Sequence, residues 1–189
     1  APACSAACDS ARRRFPGRTL IITAVNTGMG LPPVVVGLAV WLLLVRSGPL
    51  GSLGLIYTRR AMMLAQFIIA TPVVVGVTSA AIQALPPGLP DLLTTLGAGR
   101  LRTVWLISRE VRVGLLAAVM AAFGAVVSEV GPSMIVGGNL QGDTRVLTTA
   151  IVTVTGRGEL GTAMALGLVL LGLTFAVNAF LTVAQQRHT

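Results

Sequence analysis

From Thr19 to Val45 the sequence runs without a single charged residue. At about 1.5 Å of rise per residue, a helix of that length exceeds the roughly 30 Å hydrocarbon core of a bilayer. Such a run belongs in a membrane, and it must tilt or break there. Gly28, Gly30 and the pair Pro32-Pro33 favour a break, because proline lacks the amide donor that a helix interior needs. Broken backbone at membrane depth is tolerated only where protein buries it or where it lines a cavity. Pro32 and Pro33 are therefore either a packing kink or part of a pathway or gate. Three further apolar runs follow, about 61–84, 113–130 and 160–184, and Thr71-Pro72 is expected to kink the second.

Composition agrees. Only 11% of the 189 residues are charged and mean hydropathy is +0.85, whereas a soluble domain carries about a quarter charged residues. The expected fold is all-α, a polytopic membrane protein of about four transmembrane helices in the lipid bilayer. The net charge of +8 does not mark a nucleic-acid binder, since the arginines form short clusters between apolar runs and act there as topology signals. All fourteen basic residues are arginine. Without lysine there is no phosphate-cradling loop of the Walker type and no Schiff-base chemistry, so any ATP must be bound by another subunit. Cys4, Cys8 and His188 make an improbable metal site. The two cysteines read as unpaired thiols in a basic leader, 1–18.

Between the second and third runs lies the polar stretch Asp91 to Glu110. Leu85-Pro86-Pro87-Gly88-Leu89-Pro90 must end the preceding helix, and a short helix is expected from about Asp91. Leu92, Leu93 and Leu96 share one face, Asp91 suits the helix N-terminus, and Gly97 supplies the exit. The product is an amphipathic peg that cannot bury its leucines by itself.

This stretch resembles the cytoplasmic signature of permease subunits of bacterial ABC importers: EAA, three residues, glycine, nine residues, then I-x-L-P. Asp91-Leu92-Leu93 takes the EAA place, Gly97 the glycine, with Ala98 beside it, and Ile107 the isoleucine, while Arg109-Glu110 stands where the family has L-P. The flanks Leu31-Pro32-Pro33-Val34-Val35-Val36-Gly37-Leu38, Ser47-Gly48-Pro49-Leu50-Gly51, Ser128-Glu129-Val130-Gly131 and Ile135-Val136-Gly137-Gly138-Asn139 resemble the molybdate/tungstate branch, nearest to tungstate-type permeases. The resemblance implies a multi-pass subunit of a bacterial plasma membrane importer, with Asp91, Leu92, Leu93, Leu96, Gly97, Ala98 and Ile107 coupling it to a separate ABC ATPase. It further implies a homodimer of permease subunits and an extracytoplasmic oxyanion-binding protein. No cofactor is expected on this chain, ATP-Mg being held by the partner subunit. Family members carry additional helices where this sequence has only Ala1 to Ala11, so the expectation is either a truncated N-terminus or an unusually small permease.

With the loop 85–112 inside, nine arginines lie inside and five outside, counted on the sequence, the bias expected of cytoplasmic loops. Gly131 to Glu159 then faces outward, as a short re-entrant or surface-lying piece. Its candidates for a pathway or gate are Gly131, Ser133, Gly138, Asn139, Thr144, Arg145 and Thr148. Neutral donors around one positive charge suit an oxyanion that must be bound weakly enough to leave. In the third run, Ala117, Ala121 and Ala125 are expected to form the small-residue packing face. Glu129 ends the run, and an ionisable group there is a functional candidate. A carboxylate repels an anion, so gating or hydrogen bonding to the following glycine loop is favoured over substrate contact or a mere reach to the interface. An importer for molybdate, sulfate or another solute, an intramembrane enzyme and a non-transporting scaffold remain alternatives.

Overall fold

The computed structural model describes residues 18–186. The basic cluster Arg12 to Arg14, Cys4, Cys8, Arg187 and His188 lie outside the described residues. Within them the chain is helical, with no β-strand. The helices are α1 (Arg18–Gly30), α2 (Pro33–Leu44), α3 (Arg59–Gln83), α4 (Leu89–Thr95), α5 (Arg100–Glu110), α6 (Arg112–Val127), α7 (Gly131–Gly137), α8 (Leu147–Gly156) and α9 (Leu160–Gln186).

Helices α3 and α9 are each long and apolar enough to cross a membrane, and the pairs α1 with α2 and α5 with α6 qualify when each broken pair is taken as one span. The break in the first run falls at Leu31-Pro32. Pro32 is the N-cap of α2, with φ −59° and ψ 120°, and Pro33 opens the helix, where a missing amide costs nothing because that donor would be unpaired anyway. Helix α3 runs through Pro72 without interruption. The third run ends earlier than 130. Ser128 and Glu129 close α6 with hydrogen bonds to Gly124 and Val126, and Pro132, acceptable in a first turn, starts α7. The stretch 85–112, expected as a loop after its peg, holds a second helix, α5.

Contacts divide the chain into two compact units. One comprises α1, Thr71–Ala122 and the end of α9. Its core is Ile82, Ile107 and Val111, with Ala81, Leu85, Leu93 and Leu115 packed around them. The small-residue face of α6 lies one residue away from the expected Ala117, Ala121 and Ala125. Ala118 and Ala122 are the buried pair, and Gly114 continues their four-residue spacing. A Cβ at Gly114 would collide with that of Ala81, so the stripe is set by the approach of α6 to α3.

The other unit comprises Leu31–Ala70 and Phe123–Phe180, with Val40, Leu44, Ala61, Ala65 and Val136 at its core. Here α2 packs on α7 so closely that a Cβ on Gly37 would lie 2.7 Å from the Pro132 Cα. Tyr57 sits in the left-handed region at φ 61°, held by its amide donating to the Val136 carbonyl at 3.0 Å and by Trp41 Nε1 donating to its hydroxyl at 3.4 Å.

Candidate functional site: a leucine peg and a cleft

In the first unit, α4 is built by its ends. Asp91 lies in its first turn, where negative charge is favoured. At the other end Gly97 takes φ +77°, its amide donating to Thr94 O and that of Ala98 to Leu93 O, both at 3.0 Å. This paired closure with a left-handed glycine caps the last carbonyls and turns the chain sharply. Gly99, extended at φ −63° and ψ 161°, leads directly into α5.

The sequence puts Leu92, Leu93 and Leu96 on one face, and the structure divides them. Leu93 turns inward onto the cluster of Ile82, Ile107 and Val111, whereas Leu92 is exposed and Leu96 is 74% exposed. Ile107, aligned with the signature by spacing, is 2% exposed and is the floor on which α4 rests. The peg therefore has an anchored base and an outward tip. Two bare leucines in a short, fixed helix carry no chemistry of their own and suit an apolar groove on another protein.

In the second unit a cleft of about 310 Å³ is lined by Gln66, Phe123, Val126, Val127, Glu129, Ser133, Val146, Leu147, Thr148 and Leu170. Its walls are mainly apolar, but α3, the end of α6, α7 and α8 each contribute one polar side chain: Gln66, Glu129, Ser133 and Thr148. The Ser133 side-chain oxygen is one of two buried ones, among the described residues, without a hydrogen-bond partner. The cleft brings Glu129, Ser133 and Thr148 together and leaves the other sequence candidates elsewhere. Gln66 had no distinguishing signal, since one amide in a long apolar helix is ordinary.

The loop after α7 is occupied with its own hydrogen bonds. Buried Thr144 donates to Gly137 O at 2.6 Å and accepts from the Leu140 amide at 2.9 Å. Asn139, left-handed at φ 51°, donates to Thr153 Oγ1 at 2.8 Å and accepts from Arg145 Nε at 3.3 Å, while Arg145 Nη2 reaches its carbonyl at 3.4 Å. Arg145 is thereby aimed by Asn139 and half-buried. Gly138, left-handed at φ +70°, lies against Tyr57, whose ring a Cβ would meet at 2.7 Å. Gly131 faces Val34 in the same way. Pro32 is exposed and Pro33 half-buried at the start of α2.

An anchored peg lying between candidate spans and a mainly apolar cleft that carries four polar side chains suit a translocating subunit. The sequence matches, over residues 3–189, the model of the binding-protein-dependent transport system inner membrane component family, and the chain belongs to that family. It is 44% identical over 172 residues to a probable anion ABC transporter permease protein of Haloferax volcanii, covering 88% of this chain and 74% of the relative. It is 42% identical to the tungstate uptake system permease protein of Peptoclostridium acidaminophilum, covering 84% of this chain and 69% of the relative. The corresponding protein of Campylobacter jejuni is 39% identical, over 87% of this chain and 69% of the relative. The chain is thus a membrane permease subunit of this family.

Proposed function

We propose that this chain forms the translocation pathway of an oxyanion importer, with tungstate as its substrate, and that α4 couples it to a separate ATPase. The observation that carries the coupling is the division of the leucines. Leu92 and Leu96 face outward for a partner's groove, and Leu93 fixes the peg to the core around Ile82. ATP-Mg is held by the partner, the absence of lysine here leaving no phosphate loop. An extracytoplasmic binding protein delivers the anion, and two copies of the chain enclose the pathway. The names borne by the relatives from P. acidaminophilum and C. jejuni support tungstate.

The cleft suits a gate better than an anion seat. The Glu129 carboxylate repels an oxyanion, and the mainly apolar walls offer little to a hydrated one. Asn139-positioned Arg145, the one cation in its loop, is the better candidate for passing contact with the anion. Leu96→Asp should abolish co-purification of the ATPase while the subunit remains monodisperse. Retained co-purification would remove the coupling role from α4. Uptake of labelled tungstate into liposomes holding permease, ATPase and binding protein, competed by molybdate or sulfate, tests the substrate. The E. coli molybdenum transport permease, 30% identical over 80% of this chain, makes molybdate the competitor to watch. Equal competition by molybdate would reduce the assignment to oxyanions in general.

A further inference from the structure

We propose that the outward face of α5 is a seat for anionic phospholipid headgroups, holding this helix flat in the membrane interface beside the peg.

The position of the helix comes first. Only Val111 separates α5 from α6, and the two axes are bent by 69°. The eleven residues of α5 make a rod about 16 Å long. At that bend its far end rises only about 6 Å, measured along the axis of α6, from the level where the span begins. With α6 along the bilayer normal and its first turn at the acyl boundary, the whole helix stays within the headgroup layer, which is about 5–7 Å thick on each side.

The chemistry of the face comes second. Ile107 points to the core at 2% exposure, while Leu101 is 89% and Trp105 58% exposed. Arg102 and Arg109 are exposed on the same side, and the Arg109 guanidinium lies over the Trp105 ring, 5.6 Å from its centroid. At 100° per residue, Leu101, Trp105, Arg109 and Arg102 fall within one stripe about 100° wide, and Glu110 falls outside it. A leucine and a tryptophan interleaved with arginines, without a carboxylate, meet the acyl boundary and the phosphates together. Polar composition gives this stretch the character of a loop, but two of its apolar residues, Leu101 and Trp105, are left uncovered. An ATPase groove is the competing occupant. The arginines and the fixed depth of the helix favour the lipid surface.

The full-length chain in nanodiscs provides the test. Its two tryptophans are Trp41 and Trp105, so Trp41→Phe isolates the second. Bromine placed high on the acyl chain should quench Trp105, and brominated phosphatidylglycerol should do so at a lower mole fraction than brominated phosphatidylcholine. Arg102→Gln and Arg109→Gln should each weaken that preference about five-fold while quenching itself persists. Absence of quenching, equal quenching by both lipids, or an emission shift only when the ATPase is added would each overturn the proposal. Should Trp41→Phe not fold, a nitroxide on Leu101→Cys, with Cys4 and Cys8 replaced by serine, gives the same answer. Greater collision with oxygen than with an aqueous nickel chelate supports the seat, and the reverse sinks it.

Discussion

Arg59 and Asp143 are 84 residues apart in sequence and meet at 2.9 Å, Nε to Oδ1, with a second hydrogen bond from Nε to the Asp143 carbonyl at 3.1 Å. The pair ties the first turn of α3 to the loop preceding α8. Its side chains are 69% and 54% exposed, so water and salt screen most of the attraction. Asp143→Asn should therefore lower stability by no more than about 1 kcal/mol. Thermal unfolding in detergent at low and high salt checks this, and the deficit should shrink as salt rises.

Thr144 offers a sharper contrast, because its hydroxyl is buried and serves as donor and acceptor at once. Thr144→Val keeps the shape but strands the Gly137 carbonyl and the Leu140 amide. The expected loss is about 1–3 kcal/mol, several times that of Asp143→Asn, in the same unfolding measurement.

Gly37 is fixed by the proximity of Pro132. Gly37→Ala adds a methyl where backbone already stands, and overpacking of this kind costs about 1–3 kcal/mol. Gly161→Ala on α9, where nothing lies within 4 Å, should be neutral or mildly stabilising. Comparing the two melting temperatures isolates the steric effect from the glycine effect.

Within α4, adjacent leucines should fail differently. Leu93→Asp puts a charge against Ile82 and Ile107 and should reduce the yield of monodisperse protein. Leu96→Asp should leave yield intact and remove only the ATPase. Size-exclusion profiles with and without the ATPase separate these outcomes.

Glu129→Gln keeps size and hydrogen-bonding capacity while removing charge. If the carboxylate serves the gate, ATP hydrolysis with permease, ATPase and binding protein present should persist while coupled tungstate uptake falls about ten-fold, a change of roughly 1.4 kcal/mol in the gating step. Unchanged uptake would make Glu129 structural.

What could be read before the structure follows the strength of each local signal. Long uncharged runs announce spans, and proline pairs announce breaks, so α3, α9 and the interruption at Pro32 were legible to within a few residues. The short α4 was legible too, because a proline cluster and Gly97 bracket it. The inward turn of Leu93 was not, since adjacent residues on a short amphipathic helix are divided only by what packs against them, here Ile82 and Ile107. The stripe on α6 missed by one residue because alanines occupy both registers, and the choice fell to the meeting of Gly114 with Ala81. The pairing of Arg145 with Asn139 depends on a left-handed Asn139, a conformation that residue type permits but does not demand. Helix α5 went unread because its arginines outweighed its period.

Leu93 rests on Ile82, one residue from the end of the 25-residue rod α3. A groove that grips Leu92 and Leu96 therefore has hold of a crowbar already wedged under that rod. On the proposed coupling, movement of the motor reaches the span through packed side chains and not through lipid or loosely strung loops.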